Sequence, residues 1–429
     1  PRQDTVATSI PILHGSGTTN PSLLFWQVMS TLEKQSLLPI RMSYRAVGSG
    51  TGQFEYVGAT NPAKNFTSYT HFGAGDIPLT QSDYDKLVEN GRQPVHVPIA
   101  LGAIAFFHNI PGLAEDNVQL NLTACQLAKV FSGTKITSWD DPEIAENNPN
   151  LAKYVGSDSD IPVVRRVHGS SSTASITQYL RDACPSEWEE EMVGSVIEWP
   201  EDTIPAEGSA GVASVLTNVE NAIGYANAAY GHEHGLAEVA LLMPYDGSYR
   251  TSLESNGFSD TLMPSTLKQS MADVSFINAA PSNADGFRMD DDDAVWPIMT
   301  MTYVYVDEDL ESLGVSGPLV KAFLQYLLSG EVQGYTDSSY LDSGLLQTLG
   351  FDPLPSELRD MAQYAVDNLK LADDVSEWSF EPSGETMKGD GAMPLVFSGK
   401  RQDHVNIALE NLKSDVENMK QSINTNTEL

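Results

Sequence analysis

Val163-Val164-Arg165-Arg166-Val167-His168-Gly169-Ser170-Ser171-Ser172-Thr173 is the stretch around which the rest of the chain can be arranged. The β-branched residues read as the end of a strand, and the glycine with its hydroxyl run reads as a tight turn. Ala174 to Arg181 then puts Ile176, Tyr179 and Leu180 on one side of a helix. The first turn of a helix leaves backbone N–H groups unpaired and carries the positive end of the macrodipole. Hydroxyls and an arginine at that place make a site for a small oxyanion. Taken alone, the stretch fits an ordinary Ser/Thr N-cap beside a solvated arginine better, because caps are far commoner than anion sites.

The neighbouring sequence repeats the same grammar. Ser9-Ile10-Pro11-Ile12-Leu13 leads into the turn His14-Gly15-Ser16-Gly17-Thr18-Thr19-Asn20-Pro21, after which Leu23 to Leu32 has helical spacing. Ile40 to Tyr44 alternates like a half-buried strand and runs into Val47-Gly48-Ser49-Gly50-Thr51-Gly52. Phe72-Gly73-Ala74-Gly75-Asp76-Ile77-Pro78 is a third glycine-rich loop, this one with a carboxylate. In an α/β sheet, loops at the carboxyl ends of strands are where ligands sit. His96 to Asn109 reads as an apolar strand crossing between two lobes, and Trp296 to Val306 as a strand returning to the first lobe. The expected division is lobe I over 1–97 and 299–375, lobe II over 98–298, and a linker with an amphipathic helix over 376–429.

The chain has 429 residues, enough for a large core and about two to three domains. Its net charge of −34 argues against nucleic acid or an anionic membrane as partner, so any anion must be held by local dipoles. The longest apolar run, Val97 to Phe107, is too short to span a bilayer. Opening at Pro1 without a signal-like segment, the sequence reads as a processed or trimmed form. Cys125 and Cys184 suggest one disulfide if the chain is secreted and two thiols if it is cytosolic. Asn65-Phe66-Thr67 and Asn121-Leu122-Thr123 are glycosylation acceptor patterns that matter only on a secretory route.

Catalytic and metal readings find little support. Asp290 to Asp293 reads as a solvated acidic loop, since adjacent carboxylates cannot all face one ion. His232-Glu233-His234 reads as a surface loop, and no metal site or cofactor is expected. His168 stands too close in sequence to Ser170, Ser171 and Ser172 to serve them as a base, and no G-x-S-x-G elbow is present. Neither glycine turn matches a P-loop or a dinucleotide fingerprint.

Together the loops supply many hydrogen-bond donors, one cation and one carboxylate. Sulfate has no proton to offer a buried Asp76 and would be repelled by it, whereas hydrogen phosphate has one. Such a site would select phosphate over sulfate by leaving the wrong ligand with a buried mismatch.

On these residues the chain resembles the phosphate-binding proteins of the bacterial ABC phosphate-uptake system, the PstS type, with their DING-protein relatives. The likeness runs from about Ile10 to Leu371 and is carried by Gly15 to Pro21, Gly48 to Gly52, Phe72 to Leu79, Asn109 to Gly112, Trp139 to Asp141, Val163 to Thr173, Ala222 to Tyr225 and Trp296 to Ile298. It implies an α/β, two-lobed type II periplasmic-binding-protein fold with phosphate in the cleft. The protein would be non-enzymatic and extracytoplasmic, with a membrane transporter or cell-surface component as partner.

Carried over residue by residue, the resemblance implies ligand contacts from Thr19, the backbone of Asn20, Ser49, Asp76, Arg166, Ser170, the Ser171 backbone and Ser172, supported by His168 and Gly169. The family pattern has an acid where His168 stands and a glycine where Ser171 stands. Losing the acid frees Arg166 for the ligand, and a serine side chain crowds backbone that must approach the anion. Beyond about Asp374 the simple binding proteins have no counterpart. There Val405, Leu409, Leu412, Val416, Met419 and Ile423 form a short heptad seam, which suggests a helix on its own domain or attachment to a second copy. The alternative function is therefore a surface or filament-forming protein assembled through that tail.

Overall fold

The computed structural model describes residues 10–36, 39–58, 70–133, 135–156, 159–243, 246–254, 296–336, 339–340, 344–373 and 375. The glycosylation pattern at Asn65, the Asp290 to Asp293 run, the Glu377 to Gly399 linker and the C-terminal heptad seam lie outside them.

The chain opens with β1 (Ile12–Gly17), α1 (Ser22–Gln35), β2 (Arg41–Ala46), α2 (Ser49–Val57), β3 (Phe72–Gly75) and α3 (Gln81–Glu89), which lead into the long strand β4 (Pro94–His108). β1 pairs in parallel with β2 and with β3, so the three carboxyl ends point the same way. Loops 18–21, 47–48 and 76–80 leave the sheet along that edge.

β4 is buried along nearly its whole length, as expected of a strand covered on both faces, and this accounts for its unbroken apolar sequence. Its first part pairs antiparallel with β11 (Met299–Asp307). The register slips between Thr302, opposite Ala100, and Tyr303, opposite Pro98, which leaves Ile99 as the extra residue, so the proline without an N–H sits beside a bulge. The last part of β4 pairs with β8 (Ile223–Asn227) and β9 (Ala237–Leu242), and β10 (Tyr249–Arg250) pairs antiparallel with β9.

Between these strands lie β5 (Leu120–Leu122), α4 (Ala124–Phe131), α5 (Pro142–Asn147), α6 (Ala152–Val155), β6 (Val164–Arg166), α7 (Ser171–Ala183), β7 (Ile204–Ala206), α8 (Gly208–Asn218) and α9 (Ala228–Glu233). β6 and β7 are parallel, and each delivers its chain to a helix start, at α7 and α8. After β11, the helix α10 (Gly317–Leu327) and the helix over Ser356–Asp367 return to the first sheet.

Two separate apolar cores result. One joins Leu13, Phe25, Phe72 and Leu101 to Met301, Phe323 and Leu369. The other runs from Ile104 through Trp139, Ile176 and Tyr225 to Ile298. This is the two-lobed α/β architecture, with β4 and the approach to β11 passing between lobes.

Cys125 in α4 and Cys184 at the end of α7 are bonded, with Cα atoms 5.2 Å apart, which resolves the alternatives left by the sequence. Asn121 lies in β5 with its Oδ1 buried and lacking a hydrogen-bond partner. The triplet His232-Glu233-His234 closes α9 instead of forming a loop. His232 Nε2 lies 2.6 Å from Glu238 Oε2, and the His234 ring stacks on Tyr230 with centroids 4.1 Å apart. Those two local partners give the segment a reason to stay helical.

Candidate functional site

The site is assembled where the strand ends of the two lobes meet. Asp76 follows β3 directly and is 1% exposed. Its Oδ2 accepts hydrogen bonds from Thr18 Oγ1 at 2.6 Å, Asn20 Nδ2 at 2.8 Å and Ser171 Oγ at 2.8 Å. Its Oδ1 accepts one from Thr302 Oγ1 at 2.6 Å. Burial raises the Asp76 carboxyl above the ordinary range, and the bonds from Thr18, Thr302, Ser171 and Asn20 pull it back.

Asn20 uses more than its backbone. Its N–H donates to Thr18 Oγ1 at 3.3 Å, while its side chain reaches Asp76 and accepts from Ser209 Oγ at 3.2 Å. Thr19 Oγ1 is also 3.2 Å from Ser209 Oγ. Ser209 belongs to α8, so the first turn of lobe I meets a second helix start of lobe II.

Ser49 begins α2 and donates to Ser171 Oγ at 3.0 Å. The preceding Gly48 has φ 92° and ψ 152°, a conformation that essentially only glycine adopts. A Cβ there would lie 3.1 Å from Gly169 O and 3.7 Å from Arg166 Nη2. Gly169 O also accepts from Gly50 N at 3.4 Å, a direct backbone link between the lobes.

Arg166 ends β6 and is 6% exposed. Its Nε is buried without a hydrogen-bond partner, and among the described residues it makes no ion pair with a carboxylate. Burial lowers its pKa, while Tyr225, Asp76 and Glu207 favour the charged form. Ser170 caps α7, accepting from Thr173 N at 3.5 Å, and its own N–H donates to Ser195 O at 3.0 Å. The commonplace cap reading is thus met by Ser170 itself. Ser172, fully buried in the first turn of α7, has an Oγ with no partner.

His168 is exposed, facing the mouth of the cleft. A cavity of about 590 Å³ opens there, lined by Thr19 and Trp26 of lobe I and by Arg166, His168 and Ser209 of lobe II, among others.

Sequence reasoning missed Thr18, Thr302 and Ser209. Thr302 lies on β11, where Thr300 and Thr302 alternate with Met299, Met301 and Tyr303, two hydroxyls on one face of a mostly apolar strand. Ser209 follows Ile204-Pro205-Ala206-Glu207-Gly208, the same strand-turn-helix grammar as the other loops.

The arrangement is a pocket of hydroxyls, helix-start N–H groups, one buried guanidinium and one buried carboxylate. Its chemistry suits a small tetrahedral oxyanion that carries a proton. Among the described residues no group of three or more His, Cys, Asp and Glu is placed to hold a metal.

Comparison with known proteins finds relatives along most of the chain. The chain is 28% identical over 331 residues to the phosphate-binding protein PstS of Methanocaldococcus jannaschii, covering 74% of this chain and 77% of that one. The PstS of Pasteurella multocida is 26% identical over 378 residues, 87% of this chain and 95% of its own. A more distant match, 25% identical over 231 residues, is named alkaline phosphatase L, from Pseudomonas aeruginosa. The crystal structure of a phosphate-binding protein from Stenotrophomonas maltophilia shares the fold over 82% of this chain and 93% of that one, with TM-score 0.56 and 20% identity. A family model described as a PBP superfamily domain matches residues 2–331, and the chain belongs to that superfamily.

Proposed function

We propose that the chain binds inorganic phosphate in the cleft between its lobes, catalyses no reaction, and works outside the cytoplasm as the receptor of a membrane phosphate transporter. One observation carries this reading: a 6% exposed Arg166 with an unpartnered Nε faces the start of α7, where the Ser172 hydroxyl also lacks a partner and Asp76 lies across the cleft. Buried groups of this kind are costly unless a ligand completes them. An anion held by Arg166, the α7 N–H groups, Ser49, Ser172 and the loop of Thr19 and Asn20 would do so. Asp76 Oδ1, which takes only Thr302, can accept the ligand's proton, disfavouring anions that have none.

The relatives named as phosphate-binding proteins support the ligand, and the transporter partner rests on the likeness to the PstS type. The Cys125–Cys184 bond fits an oxidising compartment. A boundary between lobes at 97/98 and 298/299 belongs to the proposal, and the two apolar cores favour a first crossing slightly later, between Leu101 and Ile104.

Against a phosphatase reading, the site serines bond to one another and to Asp76, not to an imidazole: Ser49 to Ser171, and Ser171 to Asp76. Assembly through the C-terminal tail rests on residues outside the described ones. A thermal-shift series tests the proposal: phosphate should raise Tm in a concentration-dependent way, with no turnover of p-nitrophenyl phosphate. Turnover abolished by Ser49→Ala would reinstate the enzyme.

A further inference from the structure

Ser209 joins the lobes although it is not among the groups proposed to hold the anion. From the first turn of α8 its Oγ donates to Asn20 Oδ1 at 3.2 Å and lies 3.2 Å from Thr19 Oγ1. A hydroxyl has one proton to give. Because Ser209 gives its own to Asn20, Thr19 donates to Ser209, and one side chain of lobe II holds two adjacent residues of the lobe I turn. The Asn20 amide is thereby fixed at both ends, since its Nδ2 donates to Asp76 Oδ2 at 2.8 Å. Thr19 and Ser209 line the cavity at the cleft mouth, whereas Asp76, Ser171 and Ser172 are buried and not on its wall. An anion therefore reaches the start of α7 only when the lobes part, and parting separates Ser209 from Thr19 and Asn20.

We propose that Ser209 is a positioning residue that latches the cleft mouth, holding the Thr19–Asn20 turn over the closed site and so setting how fast phosphate leaves. The inference rests on the phosphate reading and deepens it. The latch forms after the anion is inside, so it contributes nothing to capture. Its loss falls on the release rate. With the lobes apart the contact is not made, and the phosphate-free protein draws no stability from it. The same bond also keeps Asn20 aimed at Asp76, which ties closure of the mouth to the carboxylate that meets the ligand.

The test uses the full chain, refolded from denaturant in phosphate-free buffer, as the unsubstituted protein and as Ser209→Ala. Gly208 and Ala210 flank the position and alanine favours helix, so the variant keeps α8. Association and dissociation rates are measured with radiolabelled inorganic phosphate, the second after a chase with excess unlabelled phosphate. Ser209→Ala should release phosphate about 3- to 10-fold faster, with the association rate changed by less than about twofold. Tm of the phosphate-free protein should stay as in the parent, while the rise produced by a fixed phosphate concentration shrinks. An unchanged release rate, a loss that falls on association instead, or a phosphate-free Tm lowered as much as that of the phosphate-bound protein overturns the latch. Correctly folded unsubstituted protein that binds no phosphate overturns the phosphate reading itself, and this inference with it.

Discussion

Replacing Arg166 with methionine should move stability and binding in opposite directions. The guanidinium is 6% exposed, its Nε has no hydrogen-bond partner, and among the described residues no ion pair with a carboxylate offsets its burial. The nearby fields of Tyr225, Asp76 and Glu207 compensate only in part, since burial remains the largest influence on its pKa. Methionine fills a similar volume without the desolvated charge, so the phosphate-free protein should gain about 1–3 kcal/mol. The anion loses its one buried cation, and removing one partner of a buried charged hydrogen bond costs about 2–5 kcal/mol, or roughly 30-fold or more in affinity. Urea unfolding of phosphate-stripped protein reads the first effect and isothermal titration the second. Saturating phosphate should then stabilise the unsubstituted protein, by about 2.7 kcal/mol at 100 times Kd, and not the variant. If Arg166→Met destabilises the protein and leaves phosphate affinity intact, the arginine is structural and the reasoning fails.

Three further outcomes follow from single features. Breaking the Cys125–Cys184 bond by a double serine substitution should cost about 4 kcal/mol by loop entropy, given the 59-residue separation, and reductant should lower Tm of the parent protein alone. His96 and His108 are held near pKa 3 and 4 by burial, from an ordinary 6.5. The folded state therefore refuses protons that the unfolded chain binds below about 6.5, and stability should fall as pH drops from there toward those values. Each histidine contributes up to about 1.4 kcal/mol per pH unit, and His96→Gln should flatten the slope by its share. Gly48→Ala forces a side chain into φ 92° and against Gly169 O, so it should cost about 1–3 kcal/mol and weaken phosphate binding together; an effect on neither would remove Gly48 from the site's support.

The parts of the site that could be read in advance are those written locally. Gly15 to Pro21, Gly48 to Gly52, Phe72 to Pro78 and Val163 to Thr173 each carry glycine and, in most cases, hydroxyls beside a strand, and all four loops reach the cleft. What was not legible depends on distance in the chain. Thr302 looks like an ordinary β-branched strand residue until β11 is laid antiparallel beside β3, which brings its hydroxyl to Asp76 across 226 positions. Thr18 and Thr19 are adjacent hydroxyls in one turn; only the fold decides that the first serves Asp76 and the second faces Ser209. The Ser171 side chain, read from the sequence as crowding, is accommodated as a hydrogen-bond bridge. Likewise His232 and His234 gave no helical pattern of their own, because Glu238 and Tyr230 provide their contacts.

The measurement that bears most directly on the central claim is isothermal titration of denatured-and-refolded, phosphate-stripped protein with inorganic phosphate, its native fold checked by circular dichroism. The account predicts one site per chain with micromolar or tighter affinity, on the order of −8 kcal/mol or better, and weaker binding of sulfate. Absence of binding by correctly folded protein would contradict it, and would mean that Arg166 and Ser172 are buried for some purpose other than holding an anion.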